Sequence, residues 1–177
     1  MNIIKETEIM PDEKSYTAVL SSPVGYLGVQ MNGEMLCGLE FLGKGAKPAE
    51  RRKSAKRDDE ESADIQHALD DYFSDPCNTI APATILNGTV FQKKVWQRLA
   101  AIKPGHTRTY GDIARQLNSS PRAVGNACRS NPVPIFIPCH RVVSASGRGG
   151  FMGHTSGEPL EIKEWLLTHE ARHTAVE

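Results

Sequence analysis

The spacing of apolar residues changes near residue 85, and this change constrains the fold more than any other feature of the chain. Before it, residues 15–21, 25–31 and 34–42 are short apolar stretches separated by SPVG and NGE turn sequences, a pattern typical of antiparallel strands. After it, apolar residues recur mainly at helical spacing. The sequence therefore predicts an α+β protein, with an antiparallel sheet in the first part and a mainly helical second part.

One helix is expected to complete the first part. Residues 58–74 are acidic at their beginning and carry Ile65, Leu69, Tyr72 and Phe73 at helical spacing, before Asp75-Pro76 ends the helix. Residues 43–57 are polar and basic, which is typical of a loop. We predict two domains: a sheet and helix domain with its connecting segment over 1–85, and a second domain over 86–177.

The second part begins with clear helix signals. Thr89 and Gln92 have the spacing of a capping box, and Ser120 before Pro121 is typical of a helix start. A short helix over 112–117, a turn, and a helix over 121–130 predict helix-turn-helix geometry. Two packed helices with a short loop also occur in many all-α domains, so this pattern alone leaves DNA binding and simple packing open.

The charged residues are distributed unevenly. The net charge is zero, but residues 1–87 contain 9 Lys and Arg against 15 Asp and Glu, and residues 88–177 contain 12 against 6. Between 89 and 153 there are ten basic residues and a single acid, Asp112. This stretch favours a polyanionic partner, although a solvated basic surface is the alternative.

Composition excludes several other classes. Apolar residues make up 39% of the chain, and no apolar run approaches the ~18 residues of a membrane span. The first residues lack the pattern of a secretory signal. The four cysteines are widely separated, which argues against a disulfide framework or a zinc site and favours reduced thiols in the cytoplasm.

The stretch IPCHRVV, residues 137–143, contains the strongest candidate for chemistry. A thiolate at Cys139 would be a nucleophile, and His140 and Arg141 supply nearby positive charge. On an extended chain adjacent side chains point to opposite faces, so His140 would need a bridging water or a sharp turn to act on Cys139. A buried cysteine next to a hydrogen-bonded histidine is the alternative reading of these residues.

IPCHRVV, with PRAVGNACRSNPVPIF before it and KEWLLTHE after it, closely resembles the methylated-DNA-protein-cysteine methyltransferases, which repair O6-alkylguanine in DNA. The resemblance covers about residues 88–172, and the first part is similar to the ribonuclease H-like first domain of that family. It implies a single-turnover methyltransferase that uses no cofactor and no metal. The implied partner is double-stranded DNA containing O6-alkylguanine, bound by a cytoplasmic protein that is monomeric in solution and can be cooperative on DNA.

The resemblance also implies roles for single residues. Cys139 is the alkyl acceptor, activated through a water held by His140, and Glu170 completes the relay. Asn131 joins the DNA-binding helix to the active-site segment. Tyr110 lies near the phosphate and the base, where its phenol helps to rotate the nucleotide and protonates the departing guanine.

Further implied roles concern DNA and base recognition. Arg122 fills the space left by an extruded base, and the small Ala123 and Gly125 let the helix enter the minor groove. Thr109 is a further DNA contact. Backbone groups at Val142 read the base, and the hydroxyl of Thr155 or Ser156 lies near the guanine oxygen.

One departure from the family pattern is that His154 stands where many members carry a tyrosine, which leaves the tolerated alkyl size open. Two other classes compete with repair: a DNA-binding protein of the alkyltransferase-like type, and an unrelated cysteine hydrolase. Alkyltransferase-like proteins carry another residue at the position of Cys139, so its presence favours repair. A hydrolase would need a histidine in direct contact with the sulfur.

Overall fold

The first part of the chain forms a three-stranded antiparallel sheet. The computed structural model describes residues 16–45 and 62–174. The strands β1 (Ala18–Ser22), β2 (Gly25–Asn32) and β3 (Met35–Gly43) lie in the order β1-β2-β3. The predicted meander is confirmed, with each strand within a few residues of its expected place.

The turn between β2 and β3 depends on a glycine. Asn32 pairs with Met35 across the sheet, which leaves a two-residue loop, and Gly33 in this loop has a φ of +60°. Two-residue hairpin loops need positive φ values that glycine adopts at little cost. The NGE sequence therefore sets the register of β2 against β3.

The predicted helix of the first part is observed as α1, Ala63–Ser74. Its buried face includes Ile65, Leu69 and Tyr72, which belong to the same apolar cluster as the sheet residues Leu27 and Val29. The expected helix start at 58–61, and residues 46–57 of the expected loop, lie outside the described residues. Tyr72 reaches beyond the sheet and contacts the second part of the chain, as shown below.

The second part of the chain contains four α-helices in its described residues. They are α2 (Val90–Ala100), α3 (Tyr110–Gln116), α4 (Pro121–Arg129) and α5 (Glu158–Thr174). The short link between α3 and α4 and the contacts between them confirm the expected helix-turn-helix arrangement. No helix within 16–45 and 62–174 is both long and apolar enough to cross a bilayer.

Side-chain caps explain where these helices begin. The capping box of Thr89 and Gln92 is formed in full at α2, and the Ser120 hydroxyl accepts from the amide of Ala123 at α4. A second capping box joins Thr109 and Asp112. Because Thr109 caps the helix, α3 begins at Tyr110, two residues before the predicted start.

The sequence predicts that Asn131-Pro132 ends α4 and that residues 135–138 are extended. The helix does end there, but the predicted extended segment was wrong, because residues 134–136 form a turn. The amide of Ile137 donates to the carbonyl of Val133 at 2.9 Å, and Ile135 has a φ of +76°. The Asn131 side chain closes this turn, since its Nδ2 donates to the carbonyl of Ile137 at 2.7 Å and its Oδ1 accepts from the amide of Val133 at 3.1 Å. Local side-chain bonding of this kind competes with extended structure.

Two very short strands bring distant residues together. β4 (Arg108–Thr109) and β5 (Val142–Val143) are parallel neighbours, with Thr109 opposite Val143. Between Cys139 and Arg141 the chain makes one turn of 3-10 helix. The pairing therefore holds the beginning of α3, and with it Tyr110, beside the cysteine segment.

The two parts share one apolar core in the described residues. The amide of Leu39 in β3 donates to the carbonyl of Pro132 at 2.8 Å, and Leu36 pairs with Thr84 in the connecting segment. The domain boundary at 85 stays a prediction.

Candidate active site

Cys139 lies at the meeting point of two pockets. Its side chain is almost buried, with 4% of the residue exposed. One pocket, of about 260 Å³, is also lined by Tyr110, Gly125 and Thr155. The other, of about 340 Å³, is lined by Asn131. Four other residues predicted for the site are thus brought together around Cys139, which lines both pockets.

The surroundings of the thiol keep it protonated in the resting protein. Burial raises the pKa of Cys139, and the amide of Asn131 and the charge of Lys163 offset part of this effect. Because the thiolate is the reactive form, a base must take the proton during the reaction.

Glu170 in α5 holds His140, the candidate general base, by a hydrogen bond. Its side chain is fully buried, and its Oε1 accepts from His140 Nε2 at 2.7 Å and from the Tyr72 hydroxyl at 2.8 Å. Arg141 donates to both carboxylate oxygens at 2.8 to 3.1 Å. The amide of Gly105 donates to Oε2 at 3.2 Å. Burial alone would raise the pKa of Glu170, but hydrogen bonds and charge from His140 and Arg141 lower it to about 2.

The ionised carboxylate decides which nitrogen of His140 holds the proton. Glu170 accepts from Nε2, so Nε2 carries hydrogen and Nδ1 presents its lone pair. Nδ1 is buried and has no hydrogen-bond partner among the described residues. Burial lowers the pKa of His140, against the opposing effect of Glu170. A neutral imidazole with a free lone pair is therefore ready to accept a proton.

Tyr110 forms the wall of the cysteine pocket that faces α4. Its hydroxyl donates to the carbonyl of Gly150 at 3.2 Å, and burial raises its pKa, so the phenol stays protonated in the resting protein. A Cβ on Gly125 would meet only the Tyr110 ring, at 4.0 Å. The small residues of α4 therefore leave a surface beside the pocket that another molecule can approach closely.

The other predicted DNA contacts lie around the start of α4. Arg122 is exposed, and Ala123 is half-buried where its amide meets the Ser120 cap. The hydroxyl of Thr109 is occupied in the capping box with Asp112. Among the described residues, no group of three side chains is arranged to hold a metal ion.

Comparisons with known proteins agree with this arrangement. Residues 90–172 match the family described as "6-O-methylguanine DNA methyltransferase, DNA binding domain". The methylated-DNA-protein-cysteine methyltransferase of Methanosarcina acetivorans is 38% identical over 157 residues, which cover 88% of this chain and 97% of the relative. The chain belongs to the methylated-DNA-protein-cysteine methyltransferase family. It is an α+β enzyme, a methyltransferase of DNA repair.

Solved structures of this methyltransferase family share the fold. The crystal structure of the O6-methylguanine methyltransferase of Mycobacterium tuberculosis has a TM-score of 0.72 and 31% identity, and covers 90% of this chain and 97% of its own. A crystal structure of the enzyme from the same organism in complex with DNA has a TM-score of 0.66 and 31% identity, and covers 88% and 92%.

The structure places two of the predicted substrate residues of the methyltransferase elsewhere. Val142 is buried, its amide donates to the carbonyl of Cys139 and its carbonyl accepts from Lys163. Neither Val142 nor Ser156 lines the two cysteine pockets, whereas Thr155 and His154 line the smaller one. His154 and Thr155 follow Gly153, whose φ is +84°. A side chain at position 153 would be strained at this φ, and its Cβ would lie 2.7 Å from Arg129 Nε.

Lys163 is a site residue that sequence reasoning missed. It is buried in α5, and its Nζ donates to the carbonyls of Val142, Arg148 and Gly150 at 2.7, 2.6 and 2.9 Å. Burial lowers its pKa to about 8. It thereby ties the cysteine segment to the loop that forms the pocket wall of the methyltransferase. Lys163 has the helical spacing that places it on the same face of α5 as Leu166, Leu167 and Glu170, and this spacing is the sequence signal that indicates its burial.

Tyr72 is a second site residue that the sequence does not reveal, because its helical spacing predicts only an apolar contact of α1. Its hydroxyl lies 2.8 Å from Glu170 Oε1 and 3.4 Å from His140 Nε2. Burial raises its pKa, and the charge of Glu170 adds to the effect. The first part of the methyltransferase therefore supplies one donor to the carboxylate that holds the histidine.

Proposed function

We propose that this methyltransferase repairs O6-alkylguanine, chiefly O6-methylguanine, in duplex DNA by moving the alkyl group to Cys139. The observation that carries the proposal is that Cys139 faces the pocket beside α4 and is followed in the chain by the histidine that Glu170 holds. The named reaction of the relatives and the DNA complex of a structural neighbour support DNA as the partner.

The first step is the transfer of the thiol proton to His140. A water molecule carries the proton from Cys139 to Nδ1, the nitrogen that Glu170 leaves free. The imidazolium that forms is stabilised by the carboxylate, in the same way as in a catalytic triad. Asn131 stabilises the thiolate with its amide and also holds the turn that leads to Cys139.

The second step is nucleophilic substitution at the alkyl carbon. The thiolate forms the new carbon-sulfur bond while the bond from that carbon to guanine O6 breaks, and its electron pair stays with the guanine. Tyr110 donates a proton to the departing base, and the proton that His140 took from Cys139 restores the phenol, so that the thiol proton ends on the free guanine. The product is a thioether with no good leaving group, so each protein molecule acts once.

Access to the base requires that the nucleotide leave the duplex. Unstacking costs on the order of a few kcal/mol, and a side chain that fills the space offsets part of this cost. The exposed Arg122 at the start of α4 takes this role, with the half-buried Ala123 and Gly125 next to the minor groove. Thr109 supports this surface through the cap that fixes α3, and Thr155 lies on the pocket wall near the guanine oxygen.

Arg122→Ala is expected to slow transfer from duplex DNA about tenfold, the effect of losing roughly 1.4 kcal/mol of the unstacking compensation. Transfer from the free O6-methylguanine base should keep its rate, because no stacking is disrupted there. Single-turnover kinetics with both substrates measure the ratio. Arg115→Ala is the matched control, since Arg115 is an exposed arginine of α3. Equal slowing on the free base would contradict the role of Arg122.

The function itself is tested by mass spectrometry. After incubation with a duplex that contains a single O6-methylguanine, the protein should gain one methyl group on the peptide that holds Cys139. Excess duplex should add no second group, and the number of repaired guanines should equal the number of protein molecules. Repeated turnover, or an unchanged protein mass, would exclude the proposal.

We also propose that the protein acts in the cytoplasm as a monomer that can be cooperative on DNA. All four cysteines, which lie in described parts of the chain, are free thiols, and this supports a reducing compartment. No metal or organic cofactor enters the proposed reaction.

A further inference from the structure

A third pocket, of about 400 Å³, lies away from Cys139. The C-terminal end of α2, the loop 101–108 and α3 form its walls. Its apolar lining consists of the buried Ile102 and Ile113 and the exposed Ala101, and four exposed basic residues also line it: Arg98, Lys103, His106 and Arg108. Among the described residues no carboxylate lines it, and it shares none of these lining residues with the two cysteine pockets. The chemistry of these basic residues fits an oxyanion.

The basic side chains are only partly balanced by opposite charge in the described part of the chain. Arg98, Lys103 and Arg108 form no ion pair there. Asp112 interacts electrostatically with Arg108, but its carboxylate accepts from the amide of Thr109 and pairs with Arg115. Like charges that converge on a concave surface raise the local concentration of anions. An anion bound in this pocket would therefore relieve a repulsion that exists without it.

Hydrogen bonds to Arg141 and Glu170 of the active site hold the loop that carries these basic side chains. Arg141 donates to the carbonyl of Ile102, and the amide of Gly105 donates to Glu170 at 3.2 Å. Arg108 is fixed by the pairing of β4 with β5. Because the loop is already ordered, an anion would bind without the cost of ordering it.

The pocket lies within a short distance of the base site. Its Arg108 is two residues before Tyr110, which lines the cysteine pocket, and its Gln116 is at the other end of α3. The seven residues of α3 span about 10 Å, and a DNA strand advances about 3.4 Å per nucleotide. We propose that the basic pocket binds a backbone phosphodiester within about three nucleotides of the alkylated base, with Arg98 and Arg108 as its ligands. The assignment rests on the proposed function, which places that base beside Cys139.

The first test is the salt dependence of duplex binding. In the double variant Arg98→Gln/Arg108→Gln, the slope of log K against log salt should fall by about 0.9, the value for one phosphate. Affinity at 0.1 M salt should fall by a factor of about eight, which is that slope over one decade of salt. Transfer from free O6-methylguanine should not change. Lys93→Gln/Lys94→Gln removes the same charge from exposed positions of α2 outside the pocket, and should weaken binding less.

The second test locates the phosphate. Single phosphodiesters of the duplex are replaced in turn by uncharged methylphosphonates. With wild-type protein and with the lysine control, one substitution within about three nucleotides of the lesion should reproduce the loss of affinity. With the arginine variant, the same substitution should cause no further loss. Additive losses at every position would overturn the proposal.

A third measurement separates DNA from a free phosphate. Inorganic phosphate is titrated while the NMR signals of His106 are followed. If phosphate binds there but the arginine variant holds the duplex as tightly as wild type, the pocket takes a free phosphate and the DNA assignment is overturned. A failure of the proposed function would look different, because wild-type protein would then gain no methyl group on Cys139.

Discussion

Cys139→Ser is expected to leave no detectable methyl transfer from an O6-methylguanine duplex, while the affinity for that duplex is retained. A serine hydroxyl differs from the thiol by one atom, so the pocket keeps its shape. Its pKa lies far above that of a thiol, and His140 cannot deprotonate it to a useful extent. Protein mass after incubation measures the transfer, and a binding titration with the same duplex measures the affinity.

Cys128→Ser is the matched control for this experiment. Cys128 lines both pockets beside Cys139 and is also buried, and burial raises its pKa. Cys128 is not followed by a histidine that a carboxylate holds, as Cys139 is. Replacing its thiol should therefore leave the extent of transfer unchanged. Transfer that persists in Cys139→Ser and disappears in Cys128→Ser would show that the wrong thiol was assigned.

Local signals in the sequence were sufficient for most helix starts. Thr89 with Gln92, and Ser120 with Pro121, act within four residues of chain, and both caps are formed. The same signal was present at Thr109 and Asp112 but was not used, so α3 was predicted two residues late. The extended conformation predicted for residues 135–138 was wrong because the turn there depends on bonds from the Asn131 side chain to Ile137 and Val133.

The site could be predicted only in part, because its central contacts join distant residues. Tyr72 and Glu170 are 98 residues apart, and His140 and Glu170 are 30 apart. Neither helical periodicity nor the spacing of a motif indicates a contact between residues this far apart in the sequence. The residues alone left catalysis and a buried structural cysteine equally open, and the family resemblance supplied the link from Cys139 through His140 to Glu170. The short pairing of β4 with β5, which sets the place of Tyr110, has no signature in two residues per strand.

Glu170→Gln is expected to damage both stability and transfer. The amide that replaces one carboxylate oxygen would face donors from His140, Tyr72 and Arg141, and the buried Arg141 would lose its partner. Removing one member of a buried ion pair costs about 3 to 5 kcal/mol, which lowers the melting temperature by on the order of 10 °C for a chain of this size. Thermal unfolding measures this loss.

The rate of transfer in Glu170→Gln should fall by on the order of 100-fold, because His140 is no longer oriented or stabilised in its charged form. The control is Glu164→Gln in the same helix, where Glu164 pairs with Arg148 at 2.6 Å on the surface. Exposed pairs contribute at most about 1 kcal/mol, so this variant should keep both its stability and its rate. Single-turnover kinetics on the free base and the duplex compare the two variants.

His140→Gln separates the proton relay from the fold, and it remains informative if Glu170→Gln does not fold. It leaves the pair of Arg141 and Glu170 in place, so most of the stability should remain, but it removes the nitrogen that accepts the thiol proton. Transfer should fall by on the order of 100-fold, and raising the pH should restore much of it, because hydroxide then deprotonates Cys139 directly. A variant that transfers methyl at the wild-type rate at neutral pH would mean that Glu170 serves the fold alone.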